Sequence, residues 1–561
     1  MQITNIYLIA MIAVTGGVLF GFDVASLSAL IGTRAYRCYF NEGAPCSGPT
    51  PATQGGITAS MSGGSFIGSI ASGFFTDVIG RKKSIQFGSL FWYAKLFKDL
   101  FSTAWLTTSS RMIGCVLMSA SQNIGMLISS RFINGLAVGI VSAQFPVYMS
   151  ELARPSHRGM IVGCQQWAIT WGILIMYYIG YGCSFINGNL SFRLAWGLMI
   201  IPAFIIFAAL FFIPESPRWL ASKGKFDEAH DVLALVHAQG NRDDAFVQVE
   251  MLEIKETIEM ERHSTDTSYL ALLKPDMIWR THIGIFTMIW CQLTGINVIM
   301  YYLVFVFGMA GSTGNSGLIA GSISYVINVV STVPILLLID RVGRRIPFII
   351  GGISLATWWF ASAALMAIYG HPAPPGGLDG ISEQSWEISG PASKAVIACS
   401  YLVVASYAAL VGPITWVYPP ELFPLRVRGK AVSVSMGSMW LTNFAVTYFI
   451  PPSFENIAWK TYIIFGVTNL MMAIHVFLAF PETAGKTLEE VESIFKSKIP
   501  AWKTKTDRKR IVAWEQGNVD TEQVVQALHY GVPGETSNET PEAKSEVEQV
   551  EQVEHGHTVS K

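Results

Sequence analysis

Two charged residues stand inside apolar stretches of this sequence, where a charge is energetically expensive. Asp23 lies in LFGFDVASLSAL and Arg131 in SSRFINGLAVG. A carboxylate within a membrane-spanning segment usually faces a cavity or a partner of opposite charge. Burial also raises its pKa, so that it can bind and release a proton. We therefore interpret Asp23 as a candidate proton carrier with Arg131 as its partner; the alternative is a purely structural pair.

Amide side chains inside apolar runs form a second candidate group. An amide donates and accepts hydrogen bonds at once, which suits an uncharged ligand rich in hydroxyl groups. An aromatic face would cover the C–H side of such a ligand, and Trp416 and Trp440 are available in late apolar runs. The alternative for any one amide is a hydrogen bond between two membrane helices. The amides in question are Gln166, Gln292, Asn297, Asn328 and Asn443.

Charged motifs occur twice, at matching places in the two halves of the chain. DVIGRKKS, SELARPSHRG and PESPRWL in the first half match DRVGRRIP, PELFPLRVRG and PETAGKTL in the second. Carboxylates and arginines at facing helix ends can pair across the halves, and breaking such pairs would open the inner mouth. The alternative is ordinary charge on cytoplasmic loops. The residues concerned are Asp77, Arg81, Glu151, Arg158 and Glu215, with Asp340, Arg344, Glu421, Arg428 and Glu482.

The elements that must position these residues are membrane helices. Of the 561 residues, 51% are hydrophobic and only 14% are charged, where soluble domains carry about 25% charged residues. A crossing needs roughly 20 apolar residues. Its backbone N–H and C=O groups must be hydrogen-bonded to one another, which a helix achieves. The predicted crossings, twelve in all, are 7–31, 57–79, 85–121, 124–146, 159–183, 192–213, 281–309, 317–339, 346–370, 394–418, 429–450 and 459–480.

Polar segments divide the chain and fix its orientation. We predict bundles of six helices at 1–213 and 281–480, joined by amphipathic cytoplasmic helices at 214–280. The remaining segment, 481–561, is a cytoplasmic tail, predicted to be disordered beyond about 517. The basic loops all fall on one side, which places both termini in the cytoplasm. A net charge of −1 does not favour nucleic acid as a partner.

The paired motifs resemble those of the sugar porter family of the major facilitator superfamily, over about residues 7–495. GGITASMSGGSFIGS, QQWAITWGI and QLTGINVIMYY look most like fungal high-affinity hexose transporters. The resemblance implies an all-α fold of two six-helix bundles with the substrate between them. It also implies that Gln166, Gln292, Asn297 and Asn328 bind the hexose, that Trp416 packs against it and that Asn443 caps the site. Tyr301 and Tyr302 would form the outer lid.

The implied function is transport of a hexose, glucose foremost, across the plasma membrane by alternating access and in symport with protons. The chain would act as a monomer in the lipid bilayer, without a cofactor or metal. Four alternatives stay open: facilitated diffusion, a pentose carrier, a quinate or polyol carrier, and a sugar sensor that does not transport. No nucleophile–base set or phosphate-cradling loop indicates an enzyme.

The sequence departs from the family pattern at three places. Cys291 replaces the first of two glutamines before LTGIN, Met439 replaces an amide in the eleventh crossing, and Ala408 stands near a missing acid. Fewer polar contacts leave the identity of the sugar open. In GPITW, Gly412 and Pro413 predict a helix break at a gate.

The third crossing is interrupted by a charged segment, 93–111, that carries two lysines, an aspartate and an arginine. Without it, SIQFGSLFW joins MIGCVLMSAS in one apolar run of about membrane length. Trp92-Tyr93-Ala94 can be encoded by codons containing an intron donor, GTATGC, and Ser110-Arg111 by codons containing an acceptor, CAG. We interpret the segment as a translated intron; a genuine re-entrant hairpin is the alternative. Outside the crossings, Cys38 and Cys46 are close enough in sequence to form an extracellular disulfide.

Overall fold

The computed structural model describes residues 6–43, 46–90, 110–154, 157–262, 268–311, 314–374, 376–378, 381–486, 491, 493–495, 497 and 499–506. Most of the interrupting segment 93–111 and the tail beyond 517 lie outside these residues, so the predictions made for them are not tested by it.

The first half contains nine described helices. They are α1 (Ile6–Ser28), α2 (Arg34–Tyr39), α3 (Pro51–Ile79), α4 (Arg81–Leu90), α5 (Ser110–Ser119), α6 (Ile124–Leu152), α7 (Arg158–Ser184), α8 (Leu190–Gly197) and α9 (Ile200–Ala209). The linker then forms α10 (Pro217–Ser222), α11 (Phe226–His237), α12 (Ala245–Arg262) and a short 3-10 helix, Tyr269–Leu273. The amphipathic patterns predicted α11 and α12 correctly.

The second half contains eight described helices and a small ribbon. The helices are α13 (Ile278–Leu293), α14 (Ile296–Met309), α15 (Gly314–Val342), α16 (Arg345–Tyr369), α17 (Gly390–Leu410), α18 (Gly412–Leu422), α19 (Leu425–Ile457) and α20 (Lys460–Ala479). Strands β1 (His371–Pro372) and β2 (Trp386–Glu387) pair antiparallel between α16 and α17. A last 3-10 turn covers Ala501–Lys503.

Helix length and composition show a protein that crosses the membrane many times. Seven described helices or broken helix pairs are long and apolar enough to span a bilayer, by length and composition. Helices α1, α3 and α19, at 23, 29 and 33 residues, also exceed the roughly 20 residues that a crossing needs. When broken helices are counted as one crossing, each half has six.

The third crossing consists of two short helices, α4 and α5, of ten residues each. Each spans about 15 Å, half the hydrocarbon thickness. Both pack against α6. Gln86 in α4 donates to the carbonyl of Leu210 (3.3 Å), beyond the end of α9, whereas Ser119 in α5 donates to the carbonyl of Arg193 in α8 (2.7 Å). The two helices therefore lie towards opposite ends of one crossing.

Two crossings of the second half are broken beside the centre of the protein. Between α13 and α14, Gly295 has φ +81°, and a Cβ there would lie 2.7 Å from the Phe465 ring. Only glycine fits this left-handed, crowded position. Between α17 and α18 the break falls at Val411, just before the Gly412-Pro413 pair that predicted it. The break at Gly295 was not predicted.

The outer loops pack over the helix ends. Cys38 and Cys46 form a disulfide beside α2, which confirms that pairing. The 371–389 loop is held by hydrogen bonds from Trp386 Nε1 to the Met366 carbonyl (2.8 Å) and from the Ile388 amide to the Met309 carbonyl (3.0 Å). Burial raises the pKa of Glu383 in this loop to about 7.

Candidate substrate cavity and inner charge clusters

A cavity of about 50 Å³ lies between the two halves. It is far smaller than the roughly 300–1,000 Å³ of an ordinary ligand pocket, so the helices are closed around it. All six residues predicted to bind substrate line it, although they come from α7, α13, α14, α15, α18 and α19. They are Gln166, Gln292, Asn297, Asn328, Trp416 and Asn443.

The broken seventh crossing gives the cavity its polar centre. Because the chain turns at Gly295, Gln292 at the end of α13 and Asn297 at the start of α14 face each other. Asn297 Nδ2 donates to Gln292 Oε1 (2.6 Å), and Asn443 Nδ2 donates to the same oxygen (2.9 Å). Ser62 of the first half donates to Asn443 Oδ1 (2.6 Å). A ligand hydroxyl can replace any of these bonds at similar energy.

Two further polar residues complete the wall. Trp416 Nε1 donates to Gln166 Oε1 across the two halves (2.8 Å). Asn328 Oδ1 is buried and accepts no hydrogen bond from the described residues, so it is an acceptor available to a ligand hydroxyl. The rest of the lining is apolar or sulfur-bearing, apart from two tyrosines, Tyr301 and Tyr407. Two of the departures from the family pattern, Cys291 and Met439, are part of it, whereas Ala408 is buried without lining it.

Of the two predicted lid tyrosines, one lines the cavity and the other is bonded to α19. Tyr301 lines it, and Tyr302 donates from its hydroxyl to the carbonyl of Thr447 in α19 (2.8 Å). Tyr302 also has non-helical dihedrals (φ −121°, ψ 27°) within α14. This half of the broken crossing is therefore bent and fastened to α19.

Asp23 and Arg131 are both buried and lie beside the cavity, without lining it. Phe20 and Val24 of α1 line the cavity, and Asp23 lies between them in sequence. Arg131 donates to Ser26 Oγ (2.9 Å) and to the carbonyl of Ile57 (3.0 Å), and the Asp23 carboxylate attracts it electrostatically. Arg131 therefore ties α6 to α1 and α3.

The charge cluster of the first half joins three of the predicted residues. Arg81 Nε lies 3.0 Å from Glu151 Oε2, and both side chains are buried. Glu215 Oε1 accepts from the backbone amides of Lys82 (2.8 Å) and Ser216 (3.0 Å), and so caps the start of α4. Burial raises the pKa of Glu215 in spite of these donors.

The second half repeats this arrangement with one more carboxylate. Arg344 Nη2 lies 2.7 Å from Glu421 Oε1 and 3.0 Å from Asp340 Oδ1. Glu482 accepts from the backbone amides of Arg344 (2.9 Å) and Arg345 (3.0 Å), as Glu215 does for α4. Seven of the ten predicted charges thus form two related clusters, with Asp340 shared between the second cluster and the contacts across the halves.

Contacts across the halves involve the remaining three. Asp77 pairs with Lys430 (2.8 Å), and Asp340 accepts from the backbone amides of Gly159 (3.1 Å) and Met160 (2.9 Å). Arg428 donates to the Phe423 carbonyl (3.2 Å) and attracts Glu151 electrostatically. Arg158 lies within the electrostatic reach of Glu421 and of Glu250 in the linker.

Sequence reasoning missed three groups. Lys430, which follows the repeated Arg-Gly of the motif, was not among the predicted residues. Gln165, half of the QQ pair, is buried with no hydrogen bond to its amide among the described residues. The linker pairs were also missed: Arg218 with Glu250 (2.8 Å), and Arg154 with the carbonyl of His237 (2.9 Å). Burial alone would raise the pKa of Glu250, but the nearby positive charges of Arg218 and Arg158 lower it below its usual value.

The closed centre, the repeated clusters and the broken helices agree with one family of membrane transporters. The family model described as "Sugar (and other) transporter" matches residues 9–495. The chain belongs to the sugar porter family of the major facilitator superfamily. Its fold is that of the superfamily, with two six-helix bundles. It is a multi-pass membrane protein of a family of transporters and not of enzymes.

Similar proteins lie within this family. The chain is 42% identical to a high-affinity glucose transporter of Kluyveromyces lactis, over 92% of this chain and 90% of that protein. It is 43% identical to high-affinity glucose transporter 1 of Candida albicans, over 90% and 88%. Among solved structures, the proton:xylose symporter XylE bound to 6-bromo-6-deoxy-D-glucose matches with a TM-score of 0.70 and 25% identity, over 88% and 99%.

Proposed function

We propose that this sugar porter carries a hexose, glucose foremost, across the plasma membrane by alternating access, with both termini in the cytoplasm. The observation that carries the proposal is the closed cavity, in which amides from both halves and one tryptophan converge. The names of the two yeast relatives support glucose as the substrate. The inner clusters would close the cytoplasmic side, and their rupture would let the sugar leave.

Gln166, Gln292, Asn297 and Asn328 would bind the sugar hydroxyls, Trp416 would cover a C–H face, and Asn443 would cap the site. Removing one neutral hydrogen-bonding group costs ~0.5–1.5 kcal/mol, or about two- to twelvefold in affinity. We therefore expect Asn297→Ala to raise the KM for glucose in that range. The matched control is Asn456→Ala, an exposed amide outside the cavity.

The substrate class is tested by uptake of labelled glucose, xylose and quinate into yeast that lacks its own hexose transporters. We expect glucose to be taken up with the highest kcat/KM. Preference for xylose or quinate would replace the hexose with one of the alternative substrates. Failure to carry any of the three, by protein shown to be at the cell surface, would favour a sensor and contradict the carrier.

We also propose that transport is coupled to protons through Asp23. Its carboxylate would bind a proton on the outer side and release it inside, and Arg131 would stabilise the deprotonated form. The name of the XylE neighbour supports this coupling. Asp23→Asn should abolish uphill accumulation of sugar and keep exchange of labelled for unlabelled sugar. Uptake unaffected by a protonophore in the wild type would favour facilitated diffusion.

The interrupting segment 93–111 remains, in our proposal, a translated intron. Outside the segment, α4 supplies ten residues and α5 eight, which together come close to the length of one crossing and support this view. A central charge costs about 2.5–3.5 kcal/mol on insertion scales, so the uninterrupted form should be the active one. Deleting 93–111 should restore uptake. A transcript that retains the segment as its single form would contradict the proposal, as would equal uptake by both forms.

A further inference from the structure

Gln165 in α7 is a buried amide that the structure leaves without a hydrogen bond. The residue is 1% exposed, and neither Oε1 nor Nε2 has a partner among the described residues. It lines a narrow space between α1, α6 and α7, which we call the seam; the other lining residues are Gly16, Phe20, Val138, Val141 and Ser142. The seam has no room for a water molecule, so water cannot pair with the amide in this state. Because an unpaired buried amide is unfavourable, we expect it to be paired in another state of the protein.

The seam adjoins the central cavity at Phe20, which lines both spaces. Trp440 of the second half lies against Phe20, with the two ring centres 4.9 Å apart. Its Nε1 donates to Ser142 Oγ of the first half (3.1 Å). Trp440 is therefore a contact across the halves at the seam. If α19 moves away from the first half, Trp440 leaves both residues and the seam opens towards the cavity.

The two ends of α7 define two ends of the protein. At the start of α7 the Gly159 amide donates to Asp340 of the second half (3.1 Å). We call this the cluster end, because Asp340 belongs to a charge cluster. Near the other end of α7, Gly180 packs against the chain just after α1, where a Cβ on Gly180 would lie 2.9 Å from Ala29 Cβ. We call this the opposite end.

The seam lies towards the cluster end. Gly17 packs on the backbone of Gln165, where a Cβ would lie 2.8 Å from the carbonyl oxygen, so α1 and α7 run side by side from the cluster end. Gly16 precedes Phe20 by about one turn of α1, which places the seam nearer to the cluster end than the central cavity. Separation of the halves at the cluster end would remove Trp440 and expose the seam. Separation at the opposite end would leave Trp440 in place.

We propose that Gln165 and Ser142 form a second binding site for the transported sugar, which is exposed when the cluster end opens. An amide and a hydroxyl offer donors and acceptors to sugar hydroxyls, and Phe20 offers an apolar ring, as in ordinary ligand sites. Ser142 becomes available because Trp440 leaves it in the same movement. The sugar passes from the central cavity to this pair on its way through the cluster end. The inference rests on the proposed function, transport of a hexose.

The test needs a protein that can open at the cluster end only. Gly32, just beyond Ala29 at the opposite end, faces Val304 of the second half. A Cβ on Gly32 would lie 3.8 Å from Val304 Cβ, which is about the mean Cβ–Cβ distance of a disulfide. The double variant Gly32→Cys, Val304→Cys should therefore lock the opposite end when it is oxidised. Reduction removes the lock and is its control, because transport should then return.

The measurement is equilibrium binding of labelled glucose to the oxidised, locked protein in nanodiscs. Adding Gln165→Leu should raise the Kd severalfold, because the open state loses a sugar ligand. Gln165→Asn keeps an amide and should bind glucose more tightly than Gln165→Leu. The matched control is Gln54→Leu, which removes a buried amide that accepts from the Tyr36 hydroxyl (3.1 Å) outside both spaces. It should leave the Kd unchanged.

Thermal unfolding separates a sugar ligand from a structural amide. Gln165→Leu breaks no hydrogen bond of the closed state and should not lower the unfolding temperature, whereas Gln54→Leu should lower it. A Kd that Gln165→Leu leaves unchanged would overturn the inference alone, as would an unfolding temperature that falls as far as in Gln54→Leu. Absence of glucose binding by the locked protein without further changes would overturn the proposed function and this inference with it.

Discussion

Two contacts between the halves come from equivalent motifs and have different chemistry. In the first motif Arg158-Gly159-Met160 faces Asp340, which accepts two backbone amides from the start of α7. In the second, Arg428-Gly429-Lys430 faces Asp77, which pairs with the Lys430 side chain (2.8 Å). A helix terminus supplies rigid donors and a partial positive charge, whereas a lysine supplies a point charge on a flexible side chain. The same repeat thus gives one rigid and one adaptable contact.

The difference extends into the clusters behind the two contacts. Arg344 pairs with both Asp340 and Glu421. The contact across the halves and the charge cluster therefore form one network. Asp77 is 33% exposed, and its lysine partner belongs to the opposite half. The second half therefore couples its cluster to the closure more tightly than the first. We therefore expect matched variants of the two halves to differ in their effects.

The largest effect is expected when the shared arginine is removed. A buried ion pair that loses one partner costs ~3–5 kcal/mol. Arg344→Gln leaves Asp340 and Glu421 without their cation, whereas Arg81→Gln leaves Glu151. The unfolding temperature in detergent should therefore fall for both variants and more for Arg344→Gln. Equal losses would show that the clusters are equivalent and would remove the asymmetry.

A smaller effect should follow from adding a methyl group to each motif glycine. A Cβ on Gly159 would lie 2.1 Å from Asp340 Oδ1, whereas a Cβ on Gly429 would first meet Thr76 Cγ2 at 2.7 Å. Gly159→Ala should therefore break amide bonds to a carboxylate, worth ~1.5–3 kcal/mol, and favour the inward-open state. Distances between spin labels on the inner ends of α3 and α19 measure the change. A larger opening in Gly429→Ala would contradict the comparison.

The lysine contact should be weaker and should depend on salt. Partly exposed ion pairs contribute ~0.2–1 kcal/mol and are screened by ions. Lys430→Gln should open the inner mouth slightly at low salt and have no effect at high salt, as read from the same spin labels. Salt should not change the effect of Gly159→Ala, because its contact uses backbone amides. A salt-independent effect of Lys430→Gln would show that the lysine acts in another way.

The smallest effect near neutral pH concerns the linker. Arg154 of the first half holds the linker, whereas the matching residue of the second half is Pro424. Burial, and then the nearby Arg154, lower the pKa of His237 to about 4 from its usual 6.5. The unfolded chain gains this proton near pH 6.5 and the folded chain only near 4. The free energy of unfolding should therefore fall as the pH drops through that window and be fully retained above it.

His237→Gln should flatten this pH dependence of thermal unfolding. His230→Gln, which changes a partly exposed histidine of the same helix, is the control and should leave the slope unchanged. A wild-type slope that survives His237→Gln would assign the effect to other groups. The measurement also tests whether Arg154 holds the linker, since Arg154→Gln should bring the titration of His237 closer to its usual pH.

By itself the sequence determined the family, the many crossings and the list of residues around the cavity. These follow from apolar run length, from paired motifs and from amides in lipid, all of which are local or repeated signals. The helix break at Gly412-Pro413 was also local, because proline lacks the amide that a helix needs. The spacing of Cys38 and Cys46 allowed a disulfide but did not require one.

Only the tertiary structure decided how those residues meet. Gln292 and Asn297 face each other because the chain turns at Gly295, and a glycine within an apolar run does not reveal that turn without the Phe465 ring packed against it. The repeat predicted symmetrical charges, but the partner of each depends on which element packs opposite. That choice gave Asp340 two backbone amides and Asp77 a lysine. Pairing across some 180–350 residues is a property of packing, which local pattern does not encode.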